Sequence, residues 1–232
     1  MSAKPARKAN AVNPTKLTYE GFDAAYDYFN HVLFGNALPR CLVTLQRKGR
    51  THGYFAGQRF GTKDGAEVHD EIALNPTHFA ERTAEQTLST LVHEMVHLWQ
   101  HHFGQPSRPG YHDKEWAGKM VEVGLQPSDT GAPGGKPIGP KVSHYIIEGG
   151  DFANAAKSLI GKGWTVPYVS LWDEETQKRA ATKRASKSKF TCPGCGANAW
   201  GKPELRIICA DCDEAMAPAG ADADREAADA PF

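Results

Sequence analysis

Apolar positions recur at helical spacing in several segments of this chain. Phe22, Ala25, Tyr26, Phe29 and Leu33 form one stripe and predict a helix over 18–33. Gly35, Asn36 and Pro39 then mark a turn. Leu42–Leu45, 53–55 and 71–75 read as short strands between Gly- and Asp-rich turns, a set that predicts a small antiparallel sheet. The strongest element comes next. Thr83 and Gln86 have capping-box spacing, Leu88, Leu91, Val92, Met95 and Trp99 make the stripe, and Gly104 and Pro106 stop the helix. Residues 112–123 predict a further helix, ended by Gly124 and Pro127. Seven Gly or Pro between Gly131 and Pro140 make 127–143 a long loop. A strand over 144–147, a short helix carrying Phe152, Ala155, Ala156, Leu159 and Ile160 behind Asp151 as its cap, and a strand over 164–171 complete the pattern. No internal repeat is visible.

Helices set against a small antiparallel sheet give an α+β class. The 232 residues are 40% hydrophobic and 23% charged, enough for one sizeable domain and a small one. The division expected is a polar N-terminus over 1–15, a main domain over 16–171, a basic linker over 172–188, a Cys-rich module over 189–217 and an acidic tail over 218–232. Residues 128–171 are either part of the main fold or a connecting subdomain. Formal net charge is 0, so no global field argues for nucleic acid or membrane. Locally, Lys178, Arg179, Lys183, Arg184, Lys187 and Lys189 form a basic run with no acid among them. No apolar leader or membrane-length stretch is seen, and the expectation is a cytoplasmic protein without a membrane partner. Cys41, alone at the edge of a strand, reads as a small core residue.

The chemistry is concentrated in His93-Glu94-Met95-Val96-His97, an H-E-x-x-H pattern on the strongest helix. Two His four apart face the same way, one turn from each other, and can grip one zinc ion. Glu94 is placed to take a proton from water at that metal. A catalytic zinc needs a third protein ligand. Gln100 and Phe103 stand where metzincins carry Gly and His, which excludes that pattern. His112, after the turn-rich segment 105–111, is the best candidate, and Glu115 and Glu122 are alternatives. His101 and His102 read as surface or supporting residues, since one straight helix does not wrap three ligands around one ion. Tyr111 and the His144-Tyr145 pair are candidate oxyanion donors, with packing as their simpler role. Gly131-Ala-Pro-Gly-Gly-Lys136 imitates a phosphate loop, but it is one residue short and Pro137 replaces the magnesium-binding Ser or Thr.

The HEMVH run, a loop, then His112-Asp-Lys-Glu-Trp116 and Gly124-Leu-Gln-Pro127 resemble the SprT-like (Spartan-type) zinc metalloproteases, as do Tyr26, Asn30, Phe34-Gly35 and Leu38-Pro39 upstream. The resemblance covers roughly 18–127. Asp113 stands where that family commonly has Gly, and Trp116 where it commonly has Phe. The resemblance implies a minimal zincin-like fold, His93, His97 and His112 as ligands of a catalytic zinc, Glu94 as acid and base, and cleavage of DNA-associated proteins.

Cys192-Pro-Gly-Cys195 and Cys209-Ala-Asp-Cys212 are separated by 13 residues. Two such knuckles close a four-thiolate site, so the module reads as a zinc ribbon with strands at Phe190 and 205–208 and Gly194 and Gly196 in the knuckle turns. A closed site is structural, and redox-active C-x-x-C pairs are the weaker reading. Lys187, Lys189, Lys202 and Arg206 offer phosphate contacts, and Phe190 and Trp200 offer stacking surfaces for nucleic acid. The chain is therefore expected to hold two zinc ions, one catalytic and one structural. The function expected is that of an endopeptidase acting on DNA-associated or DNA-crosslinked proteins. A non-proteolytic, transcription-linked zinc protein and a partner-recruiting scaffold are the alternatives.

Overall fold

A computed structural model describes residues 13–49, 51–171 and 188–218. Most of the basic linker, including Lys187, and nearly all of the acidic tail lie outside them. The contacts divide the chain into two compact units, meeting between Ser170 and Leu171.

In the first unit, helix α1 spans Pro14–Phe34, four residues earlier than the apolar stripe indicates. Asn13 sets this start. Its side chain accepts the N–H groups of Thr15 and Lys16, and Pro14 occupies a first-turn position where no N–H is needed. Gly35 ends the helix in the left-handed region at φ 60°. Asn30, buried, then holds the turn from both sides. It donates to Leu38 O at 3.0 Å and accepts from Leu38 N at 3.1 Å.

Strands β1 (Leu42–Leu45), β2 (Gly53–Gly61) and β3 (Val68–Leu74) form one sheet in the order β1-β3-β2. The expected antiparallel pairing is that of β2 with β3, while β1 runs parallel to β3. The parallel pair follows from connectivity, because β2 intervenes in the chain and β3 returns between the other two. Glu71, buried at the centre, accepts from Thr44 on β1 at 2.6 Å and from Tyr54 on β2 at 3.2 Å, so both neighbours are tied to it. β2 is an edge strand and carries a bulge between Ala56 and Phe60.

Helix α2 (Ala84–Phe103) has the capping box that Thr83 and Gln86 predict. Leu88, Leu91, Val92, Met95, Val96 and Leu98 are fully buried, so α2 is the hub of the core. Helix α3 is Lys114–Glu122 and starts at Asp113, whose carboxylate caps Trp116 N at 2.9 Å. His112 therefore precedes the helix instead of opening it. β4 (Leu125–Ser128) pairs antiparallel with β5 (Ser143–Ile146). Helix α4 (Asp151–Gly161) is capped by the Gly150 backbone, not by Asp151. Residues 164–171 form no strand. Trp164 instead donates its indole N–H to Gly21 O at 2.7 Å and packs edge-on against Phe22. Docking of Trp164 on α1 takes the place of strand pairing.

The second unit contains β6 (Ser188–Thr191), β7 (Asn198–Gly201), β8 (Ile208–Cys209), β9 (Glu214–Ala215) and β10 (Ala217–Pro218). β6 lies between β10 and β7, and β8 pairs with β9. Its buried core is Phe190, Cys192, Cys209 and Met216. No described helix in either unit is long and apolar enough to cross a bilayer.

Candidate metal centres

The ligating atoms of His93, His97 and His112 lie within 4.8 Å of one another. α2 supplies the first two from successive turns. His112 arrives from the loop before α3, where its backbone forms a two-way bridge with Gly139, N to O 2.8 Å and O to N 2.9 Å. Gln100, buried on α2, reaches Asp113 at 2.9 Å and so ties the loop carrying His112 to the helix carrying the other two. The alternative ligands do not reach the cluster. Glu115 accepts from Gln100 and from Gln105 N, and Glu122 accepts from Lys119.

Trp116 is completely buried, and its ring lies 4.9, 5.1 and 4.3 Å from those of His93, His97 and His112. It is an apolar floor shared by all three imidazoles.

Hydrogen bonding fixes which nitrogen each ring offers. His112 Nδ1 is 3.2 Å from Gly139 O, which can only accept, so Nδ1 carries the proton. His93 Nδ1 is 3.0 Å from His144 Nδ1, and His144 Nε2 is 2.9 Å from Ser89 Oγ. The Ser89 hydroxyl donates to Gln86 O at 2.9 Å. Read from that carbonyl back, Ser89 accepts from His144 Nε2–H and His144 Nδ1 accepts from His93 Nδ1–H. Both His93 and His112 are thus left with a bare Nε2, the form a metal needs. Burial pushes His97 down to about 3, His93 well below the ordinary imidazole range, and His112 down as well. Neutral imidazoles are the ligating form, so the cluster fits a borderline divalent ion such as zinc.

Glu94 is buried beside this cluster, and burial raises its carboxyl to about 8, only partly offset by the Phe55 N–H. A Cβ at Gly53 on β2 would stand 3.1 Å from Glu94 Oε1, so the strand passes close over the carboxylate. The site opens into a cleft of about 800 Å³, lined by His52, Tyr54, Glu94, Tyr111 and His144 among others. Tyr111 lines this cleft, with the Arg108 guanidinium over its ring. His144 instead supports His93, and Tyr145, on the opposite side of β5, pairs with Gln126. His52 was not singled out from the sequence. Its Nδ1 accepts from Arg82 at 3.0 Å, and burial, with the Arg82 charge, lowers it to about 4.

In the second unit Cys192, Cys195, Cys209 and Cys212 form a four-sulfur group, with Cys195 and Cys209 3.6 Å apart. Backbone N–H groups of Cys195 and Gly194 bring the Cys192 thiol down to about 7. Gly196 takes φ 72° in the first knuckle, as its turn requires. A Cβ at Gly194 would stand 3.2 Å from Cys212 Sγ, which is where that glycine matters. Of the expected nucleic-acid residues, Lys189, Lys202 and Arg206 are exposed, while Lys187 is outside the described residues. Phe190 is 2% exposed and fills the core, so it is not a stacking surface; Trp200 is 64% exposed. Lys189 and Trp200 are directly opposed on β6 and β7 and share a face.

Residues 22–134 match the model of the SprT-like family. The chain is also 51% identical over 63 residues to a protein of Salmonella typhimurium described as "Uncharacterized protein in mucB 3'region", a match covering 27% of this chain and 85% of that protein. With the H-E-x-x-H helix, the downstream His112 and the four-cysteine cluster in place, these similarities settle the relationship: the chain belongs to the SprT-like family.

Proposed function

We propose that this chain is a zinc-dependent endopeptidase that cleaves proteins held at DNA. The observation that carries this reading is the meeting of three imidazoles, two with Nδ1 already committed, and a buried carboxylate at the floor of one open cleft. A zinc ion there would supply Lewis acidity, bringing the pKa of an attacking water to about 7. His93, His97 and His112 would hold it through three nitrogens and leave one position for substrate chemistry.

Glu94 is the proton carrier. It needs no role in metal binding, and its position beside His93, against β2, favours exchange of a proton with water and then with the leaving amine. The raised pKa belongs to the metal-free cleft; a nearby dication favours the carboxylate and reverses the shift. Tyr111 is the donor nearest in character to an oxyanion partner.

The ribbon is the DNA-binding part of the proposal. Trp200 offers a bare ring with Lys189 beside it, and Lys202 and Arg206 are exposed nearby in sequence. A ring flanked by cations suits unpaired bases.

The test compares wild type, Glu94→Gln and Trp200→Ala on a DNA-crosslinked protein and on a free one, with self-cleavage followed in parallel. Wild type is expected to cleave and to be stimulated by DNA. Glu94→Gln is expected to lose at least ~10²-fold in rate. Trp200→Ala should keep basal cleavage and lose the stimulation. No cleavage by wild type under any condition would favour the non-proteolytic reading.

A further inference from the structure

One turn beyond His97, α2 carries His101 and His102, and both meet Asp70 of β3. Ligating atoms of the three lie within 4.8 Å of one another. His102 Nε2 is 2.6 Å from Asp70 Oδ2, and Asp70 is buried. The other carboxylate oxygen, Oδ1, accepts Gln58 N at 2.7 Å. Gln58 sits in the β2 bulge at φ +51°, a backbone conformation that a side-chain-bearing residue rarely adopts. Next to it, a Cβ on Gly57 would lie 2.8 Å from His101 Cε1 and 2.9 Å from its Nε2. The bulge therefore bends around the His101 ring, is held there by Asp70, and needs a glycine to admit it. A solvated helix end would require none of this.

We infer that Asp70, His101 and His102 form a further divalent transition-metal site, separate from the His93–His97–His112 cluster and clamping the bulge of β2 to α2. Two imidazole nitrogens and one carboxylate oxygen make a donor set suited to zinc, cobalt, nickel or copper in preference to magnesium or calcium. An ion seated between His102 Nε2 and Asp70 Oδ2 would open that contact to about 3.3 Å, from metal–ligand lengths near 2.0–2.2 Å. Asp70 Oδ1 would keep the Gln58 N–H, which orients the carboxylate as supporting hydrogen bonds do at other metal sites. Because His101 and Gly57 both line the cleft, occupancy would fix the edge strand beside Glu94.

Full-length protein already saturated at the three-histidine and four-cysteine sites is titrated with Zn²⁺ by calorimetry, and separately with Co²⁺ by visible absorption. Wild type is expected to take up one additional equivalent, with a cobalt spectrum free of thiolate bands. His101→Gln and His102→Gln should each abolish that equivalent and leave the first two. Gly57→Ala keeps every donor but displaces the His101 ring, and should weaken the extra equivalent at least tenfold without removing the others. Absence of the extra equivalent in wild type, or its persistence at full affinity in both histidine variants, overturns the inference. His97→Ala, which removes the neighbouring site, should leave this equivalent in place, so the result stands apart from the peptidase reading.

Discussion

The two sulfur- and nitrogen-rich clusters differ in what holds them together. The histidine cluster sits on α2, whose apolar residues are buried among α1, α3, α4 and the β1-β3-β2 sheet, with Trp116 as a common floor. The cysteine cluster belongs to a unit whose buried core, among the described residues, is Phe190, Cys192, Cys209 and Met216, two of them members of the cluster itself. In the first unit, packing around α2 holds the three imidazoles together. In the second, so small a described core would not by itself offset chain entropy, and a metal ion at the four sulfurs would have to supply the rest.

The largest expected effect breaks that comparison open. Chelation should unfold residues 188–218, where a structural zinc would contribute on the order of 10–16 kcal/mol of apparent binding energy, while α2 stays protected. Amide hydrogen exchange read segment by segment checks this. Cys192→Ser should reproduce the ribbon's loss and leave the first unit unchanged.

Proton linkage separates the units next. Burial holds His97 and His144 near 3, against an ordinary 6.5. The unfolded chain then takes up protons that the folded one refuses, so this stabilisation is complete above pH 6.5 and is lost as pH falls towards 3. Glu94, raised from 4.5 to about 8, acts in the opposite direction; its contribution is present at low pH and is lost as pH rises through about 8. The metal-free first unit should be most stable near pH ~6.5 and lose several kcal/mol towards pH ~4. Urea denaturation across that range measures it, and Glu94→Gln should remove the alkaline decline and steepen the loss below pH ~6.5. Residues 188–218 contain no histidine, so this acid-side loss is absent from them; their linkage runs through thiols such as Cys192, brought down to about 7.

Packing gives the next effect. Trp116→Ala should cost the first unit about 3–5 kcal/mol and weaken metal retention. Trp116→Phe should cost less than about 1.5 kcal/mol, because it also removes an indole N–H that is buried without a partner. Thermal denaturation distinguishes the two. The smallest effect expected is on affinity alone. His144→Gln breaks the chain from Ser89 to His93 and should lower zinc affinity ~10–100-fold with little change in fold, measured by competition with a chromophoric chelator.

What the sequence made legible was local. The capping box, the α2 stripe, H-E-x-x-H and both C-x-x-C knuckles lie within short windows. What it hid depends on pairing between distant segments. His144 reaches His93 across 51 residues because β5 pairs with β4, and Asp70 reaches His102 across 32 because β3 lies under α2. The start of α3 was misplaced because Asp113 caps it and leaves His112 to a backbone bridge. Phe190 and Trp200, alike by residue type, separate only once β6 and β7 pair and one ring turns inward.

The central claim is that α2 holds the metal without Glu94 and that Glu94 acts on substrate. The most direct measurement takes metal content and protein cleavage on the same preparations of wild type and Glu94→Gln. The account predicts equal metal in both and a rate at least ~10²-fold lower in the variant. Equal cleavage by the two proteins, or loss of the metal with Glu94, would contradict it.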